Sequence, residues 1–287
     1  MPLEEAVAQL LDPAFWASVT TLPVDAMPAK PIPVDAARCA EAREAVRRDG
    51  YLQLPPLVSP GEIRALLDAV MAIRAAGLPP VFVFALDPAW HLFYRLDALW
   101  TAVFDGEWRA LPSCWAWVVE PGERGWKPHQ DRQGEPGLAG DAGPTSLSAW
   151  IPLTPSTPLN GCMYILPMRY HVGDASNVDL QDIRALPAAP GSVLAWNHVV
   201  THWGGRAAEN APVPRVSLSL ELQRADARGL HSPSYGPDEI PDLPGRLALI
   251  GRMLIRYDHM SPLARDLEVL AHALVSLAPE HGLEART

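Results

Sequence analysis

The spacing of apolar positions changes twice along the chain. The first 30 or so residues are Pro- and Ala-rich and read as surface, around a short helix at Leu3–Leu11. Residues 35–49, rich in Ala, Arg and Glu, predict a helix that stops at Gly50. Tyr51-Leu52-Gln53-Leu54 alternates and predicts a strand closed by Pro55-Pro56. A stronger helix start follows at Ser59-Pro60-Gly61-Glu62. Ser59 can cap, Pro60 suits the first turn, and Glu62 completes a capping box. Ile63, Leu66, Leu67, Val70, Met71 and Ile73 then recur at helical spacing until Gly77.

From residue 79 to about 222 short apolar or alternating runs are separated by Pro, Gly, Asn and Asp clusters. They predict strands over 81–85, 114–119, 146–153, 162–166, 192–197 and 216–222, the pattern of a sandwich or barrel. The Gly-rich segment 131–145 reads as a loop over one mouth of that barrel. The tail returns to helix over 244–256, carrying Leu247, Ile250, Met253 and Leu254. A further helix opens at Ser261-Pro262, carrying Leu263, Leu267, Leu270, Leu274 and Leu277. These stripes read as core packing or a subunit contact, which leaves monomer and homodimer both open. The expectation is one domain over 1–287, mainly β with flanking helices: a helical part to about 78, a β core over 79–222 and a helical extension over 223–287.

Composition narrows the function. Lys+Arg is 23 against Asp+Glu 33, a net charge of -10, the wrong sign for a protein that neutralises phosphates, so no nucleic-acid partner is expected. No apolar run approaches the roughly 20 residues that span a bilayer, so no membrane partner is expected. Met1-Pro2-Leu3-Glu4-Glu5 has no basic region leading into an apolar stretch. Cys39, Cys114 and Cys162 are odd in number and far apart, which reads as reduced thiols. Together these predict a cytoplasmic protein.

His129 and Asp131 stand two apart in Trp126-Lys127-Pro128-His129-Gln130-Asp131. On an extended chain they face the same way and can share a metal. With 9 His in the chain a surface pair is the bland alternative. His202 adds weight, in Val199-Val200-Thr201-His202-Trp203, although His198 competes for the same role. Two His and one carboxylate form the facial arrangement of non-haem Fe(II) oxygenases and leave three positions open. A structural zinc site would fill four, usually with Cys. Arg215 and Ser217 share a strand face farther on. A guanidinium beside a hydroxyl suits a carboxylate, though a surface Arg reads the same way when it stands alone.

His129-x-Asp131, Ser148-Ala149-Trp150, Asn160-Gly161-Cys162-Met163-Tyr164-Ile165-Leu166-Pro167, Gly191-Ser192-Val193, His202 and Arg215-x-Ser217 occur in that order. The set resembles the phytanoyl-CoA dioxygenase family of Fe(II)/2-oxoglutarate oxygenases. Arg48-Asp49-Gly50-Tyr51-Leu52 and Leu57-Val58-Ser59-Pro60-Gly61-Glu62-Ile63 resemble its N-terminal stretch, so the likeness spans roughly residues 45–222. The resemblance implies a double-stranded β-helix (a jelly roll, cupin-like) with helices outside. It implies iron on the catalytic residues His129, Asp131 and His202. It implies 2-oxoglutarate with its far carboxylate on Arg215, assisted by Ser217 and lined by Trp150, for which barrel filling is an equal reading. O2 is the third reactant, and succinate and CO2 are released. Where relatives carry Pro-Gly-Ser-His, this chain has Pro167-Met168-Arg169-Tyr170-His171. Trp203 follows the distal His and Asn210 is displaced, which puts the substrate class in doubt. Related halogenases have a small residue at the position of Asp131, so its presence implies hydroxylation, desaturation or cyclisation.

The expected substrate is a small molecule, with secondary metabolism favoured. The acidic charge disfavours an acyl-CoA unless Arg43, Arg47 and Arg48 offset it. Some of Trp90, Trp100, Trp108, Trp115, Trp117 and Trp126 are candidates for the pocket wall, with core the expected place for most. Residues 133–144 and the C-terminal helices are candidate lids. Two other readings stay open: a cupin-like metal enzyme that does not use 2-oxoglutarate, and a non-catalytic binding protein on the same scaffold.

Overall fold

The computed structural model describes residues 2–27, 29–132, 143–170, 178–227, 234–237, 239–260 and 262–278. The N-terminal part is helical: α1 (Leu3–Leu11), α2 (Pro13–Val19), α3 (Ala36–Asp49) and α4 (Pro60–Ala75), with β1 (Tyr51–Leu54) between the last two. The stop at Gly50 and the cap at Ser59 are those the sequence predicts, and Asp35 adds a further cap. Asp35 accepts from the Arg38 N–H, and Gly50 ends α3 at φ 80. A Cβ at Gly50 would stand 2.6 Å from the Met168 side chain, so both the left-handed turn and the close approach need glycine. Ser59 accepts from the Glu62 N–H at 3.3 Å and donates its hydroxyl to the Glu62 carboxylate at 2.6 Å.

Residues 81–85 are not a strand. Pro80–Ala85 is a 3-10 helix, followed by α5 (Asp87–Tyr94) and α6 (Asp97–Phe104). The run Val81-Phe82-Val83-Phe84-Ala85 is buried on every side. A continuously apolar run carries no period, and Pro79-Pro80 leads it into a tight turn instead of a ladder. Trp90 and Trp100 lie in this helical layer and donate their indole N–H groups to the Phe84 and Phe93 carbonyls. They are core.

The other strands are β2 (Trp108–Val119), β3 (Ser146–Pro152), β4 (Met163–Ile165), β5 (Arg184–Leu186), β6 (Val193–Asn197), β7 (His202–Gly204) and β8 (Arg215–Arg224). They form two antiparallel sheets, one ordered β1-β6-β3-β8-β2 and one ordered β5-β4-β7. β5 and β7 are too short to show an alternation. α7 (Leu243–Arg256) and α8 (Arg265–Val275) close the fold. The expected start of the last helix at Ser261 lies outside the described residues. No helix among the described residues is long and apolar enough to cross a membrane.

Alternation along β8 decides what each face meets. Val216, Leu218, Leu220 and Leu222 join the large core that the helices cover. Arg215, Ser217, Ser219 and Glu221 take the other face. β3 and β6 follow suit. Leu147, Ala149, Ile151, Val193 and Ala195 pack outward, while Trp150, Leu194 and Trp196 turn inward to meet Met163, Ile165 and Leu186 of the small sheet. The polar inner face of β8 therefore lines the space between the two sheets.

Candidate metal centre

His129 and His202 reach one another through the backbone. The His129 N–H donates to the His202 carbonyl at 3.1 Å and the His202 N–H returns the bond at 3.0 Å, so His129 continues the small sheet beyond β7. Each ring is fixed in the same manner. Nδ1 of His129 lies 2.9 Å from the Lys127 carbonyl, and Nδ1 of His202 lies 3.0 Å from the Val200 carbonyl. A carbonyl only accepts, so Nδ1 carries the proton and Nε2 presents its lone pair. Both Nε2 atoms face Asp131 Oδ1, at 3.3 Å from His129 and 3.6 Å from His202. The three ligand atoms lie within 4.8 Å of one another. The Arg132 N–H donates to the His198 carbonyl at 3.0 Å and holds the chain just after Asp131.

Burial pushes the His202 imidazole down to about 4, against the opposing pull of Asp131. Burial alone would raise the Asp131 carboxyl, but His202 and His129 hold it well below the usual carboxylate range. With a metal bound, Asp131 would supply the charge and the two Nε2 lone pairs the remaining ligand atoms, since ligating imidazoles must be deprotonated at the coordinating nitrogen.

The cluster opens on a cavity of about 230 Å³. At one end Arg215 is 2% exposed, its guanidinium carbon 5.8 Å from the centre of the Trp150 ring. Gly204 makes room for it, since a Cβ there would stand 2.7 Å from Arg215 Nη2. Burial pushes the guanidinium down to about 10, with only Cys162 opposing. Arg215 Nε, Trp150 Nε1 and Ser217 Oγ are all buried and have no hydrogen-bond partner among the described residues. Arg215 Nη1 reaches the soft Met163 sulfur at 3.9 Å, so a buried cation and two buried polar groups form a cradle that suits an anion. This is a fit on the donor set itself: an anion with two or three free oxygens satisfies it.

The other end of the cavity went unnoticed in the sequence. β2 carries a bulge at Leu111-Pro112-Ser113, where Pro112 cannot donate to the ladder. The bulge brings Ser113 Oγ to Glu221, donating at 2.5 Å. Arg256, Tyr257, His259 and Met260 close this end from the finish of α7. Trp126 stands edge-on between His129 and His259. Of the six tryptophans singled out above, Trp117 and Trp126 line the cavity. Trp108 is core, its indole N–H donating to Asp97, and Trp115 packs on Tyr257.

The rival residues are placed elsewhere. His198 is buried beside Glu221, 3.8 Å away, and not in the ligand trio. Arg206, nine residues before Arg215, is exposed and donates to the Gly122 carbonyl. Arg43 and Arg48 of the basic patch pair with Asp105 and Asp49. Residues 133–142 of the candidate lid, and His171, lie outside the described residues.

No family model and no curated protein matches the chain. Solved structures do. The non-heme alpha ketoglutarate dependent epimerase SnoN from nogalamycin biosynthesis is 20% identical with a TM-score of 0.54, over 67% of this chain and 85% of that one. The alpha ketoglutarate dependent carbocyclase SnoK, from the same biosynthesis, is 18% identical at 0.51, over 83% and 94%. EctD from S. alaskensis, solved with 2-oxoglutarate and 5-hydroxyectoine, is 20% identical at 0.53, over 76% and 83%. The likeness establishes the fold: a jelly-roll core with helices packed outside, as the motif resemblance implied.

Proposed function

We propose that the chain is an Fe(II)/2-oxoglutarate-dependent dioxygenase that oxidises a small molecule. The observation that carries the proposal is the presence in one cavity of a two-His, one-carboxylate trio and a buried, unpaired arginine. An iron enzyme with a dicarboxylate cosubstrate needs both.

Nε2 of His129, Oδ1 of Asp131 and Nε2 of His202 would hold the metal and leave the rest of its sphere to exogenous ligands. Bound iron, with 2-oxoglutarate and O2, would supply the oxidising power for an unactivated C–H, with succinate and CO2 released. The chain supplies placement. Arg215 takes the far carboxylate of the cosubstrate by charge-assisted hydrogen bonds, with Ser217 and Trp150 Nε1 as further donors. Trp117, Trp150, Met163 and Trp196 wall off water around the reacting centre. That leaves the Ser113–Glu221–Arg256 end, with Trp126 and Tyr257, for the substrate. Its mixture of ring faces and polar groups suits a ring-bearing, hydroxylated small molecule. The epimerase and the carbocyclase carry different reactions on one fold, so hydroxylation, desaturation and cyclisation are all compatible with this centre.

The unpaired Arg215 favours this reading over a cupin-like enzyme that does not use 2-oxoglutarate, because a buried cation without a counter-charge is costly unless a ligand supplies one. The test is an anaerobic titration of the Fe(II)-loaded protein with 2-oxoglutarate. A weak visible charge-transfer band that saturates is expected. Iron uptake without any response to 2-oxoglutarate would sink the dioxygenase reading.

A further inference from the structure

We propose that Ser148 and Trp196 are positioning residues that clamp one oxygen of Asp131, so that the carboxylate offers a single oxygen to the metal. The inference rests on the metal-centre reading above and extends it to two residues with no part in ligation.

The two oxygens of Asp131 have different surroundings. Oδ1 faces both imidazole Nε2 atoms. Oδ2 accepts from Ser148 Oγ at 2.7 Å and from Trp196 Nε1 at 3.2 Å. The donors stand on neighbouring strands and are register partners, Ser148 of β3 opposite Trp196 of β6. Directly opposed residues of an antiparallel pair have Cβ atoms about 5 Å apart on one face, which explains how a short and a long side chain meet at the same atom. Trp196 also lays its ring against His202, with centres 4.6 Å apart and planes at 39°. One indole thus fixes two of the three ligands.

A purely structural role does not account for Ser148. Ser148 is buried on the inner face of β3, between Trp196 of β6 and Glu221 of β8, and its hydroxyl is turned to Asp131 at 2.7 Å. Removing the hydroxyl would take one of its two donors from a buried carboxylate oxygen. With two donors on Oδ2, the carboxylate cannot rotate to chelate through both oxygens. The coordination position that a second oxygen would occupy stays open for exogenous ligands. Partners in this outer layer typically change metal affinity by about 10- to 100-fold.

The experiment uses the full-length, metal-free chain and Co(II) as the probe, comparing wild type with Ser148→Ala, Ser148→Thr and Trp196→Phe. Affinity comes from titration and coordination from the visible d–d spectrum, which a simple loss of stability does not alter. Ser148→Ala is expected to bind Co(II) about 10- to 100-fold more weakly, with an altered band shape. Ser148→Thr, which keeps the hydroxyl, is expected to restore both. Trp196→Phe, which keeps the ring but not the N–H, is expected to change the spectrum and carries the test if Ser148→Ala does not fold. Wild-type affinity and an unchanged spectrum in both Ser148→Ala and Trp196→Phe would overturn the clamp while leaving the metal centre standing. Failure of the wild type itself to bind Co(II) would overturn the metal centre as well.

Discussion

His129 and His202 are mirror images in their support. Each exchanges a backbone hydrogen bond with the other, and each anchors Nδ1 on the carbonyl two residues before it. Their Nε2 lone pairs converge on Asp131 Oδ1 because the backbone has fixed both tautomers first. Asp131 is the one charged member of the trio, and its replacement tests the centre most directly. Asp131→Ala is expected to fold, by circular dichroism, and to form no succinate from 2-oxoglutarate, since the centre loses its one anionic ligand. Full succinate formation in this variant would remove iron from these residues.

Arg215→Leu makes a paired prediction of opposite signs. Binding of 2-oxoglutarate is expected to weaken by at least about 30-fold, from losing a desolvated charge pair worth about 2–5 kcal/mol. Stability of the ligand-free protein is expected to hold or rise, because removing a buried cation that has no counter-charge offsets the packing lost with the shorter leucine. Isothermal titration and urea unfolding measure the two arms. A variant that unfolds more easily and binds 2-oxoglutarate normally would make Arg215 structural.

The buried imidazole of His202 gives the metal-free protein a pH-dependent stability. In the unfolded chain the ring titrates near 6.5. In the folded protein burial holds it near 4. Between those values the unfolded state binds more protons, so stability falls as pH drops, by up to about 3 kcal/mol across the window. Asp131 acts lower down: its folded carboxyl is held below the unfolded value near 3.9, so its contribution is lost only as the solution becomes more acidic than that. His202→Asn is expected to flatten the slope between pH 6.5 and 4 in urea titrations of apo protein. An unchanged slope would place the titration on another group.

How much of this was legible depended on whether a residue's role was local. The capped helices at Asp35 and Ser59, and the alternation of β8, are written in neighbouring residues. The grouping of His129, Asp131 and His202 was legible from the two-residue offset of His129 and Asp131 and the motif order that favoured His202 over His198. Ser148 and Trp196 gave no such signal as a pair, because their meeting at Asp131 depends on the β3–β6 register. Glu221 and Ser113 meet through a bulge that only the pairing reveals. The Val81–Ala85 run misled for the opposite reason: full burial erased the alternation that separates strand from helix.

That misread segment is held by a residue far away in sequence, which makes its packing testable apart from the metal. Arg246 of α7 is 2% exposed and its Nη1 donates to the Ala85 carbonyl at 2.9 Å, the Val24 carbonyl at 2.8 Å and Asp87 at 2.6 Å. It ties the N-terminal segment and the end of the 3-10 helix to the C-terminal helix. Arg246→Ala would take a charged donor from the Ala85 carbonyl, the Val24 carbonyl and the Asp87 carboxylate, leaving Val24 with the Asp87 N–H and Asp87 with the Ala26 N–H. The expected loss is about 3–5 kcal/mol of unfolding free energy, the usual result of removing one partner from a buried ion pair. None of these groups touches the cavity, so Co(II) affinity of the folded fraction is expected to stay at the wild-type value. A stable Arg246→Ala protein would show that the helices dock on the sheet through apolar contact alone, whereas a stability loss accompanied by weakened metal binding would tie the helical layer to the centre.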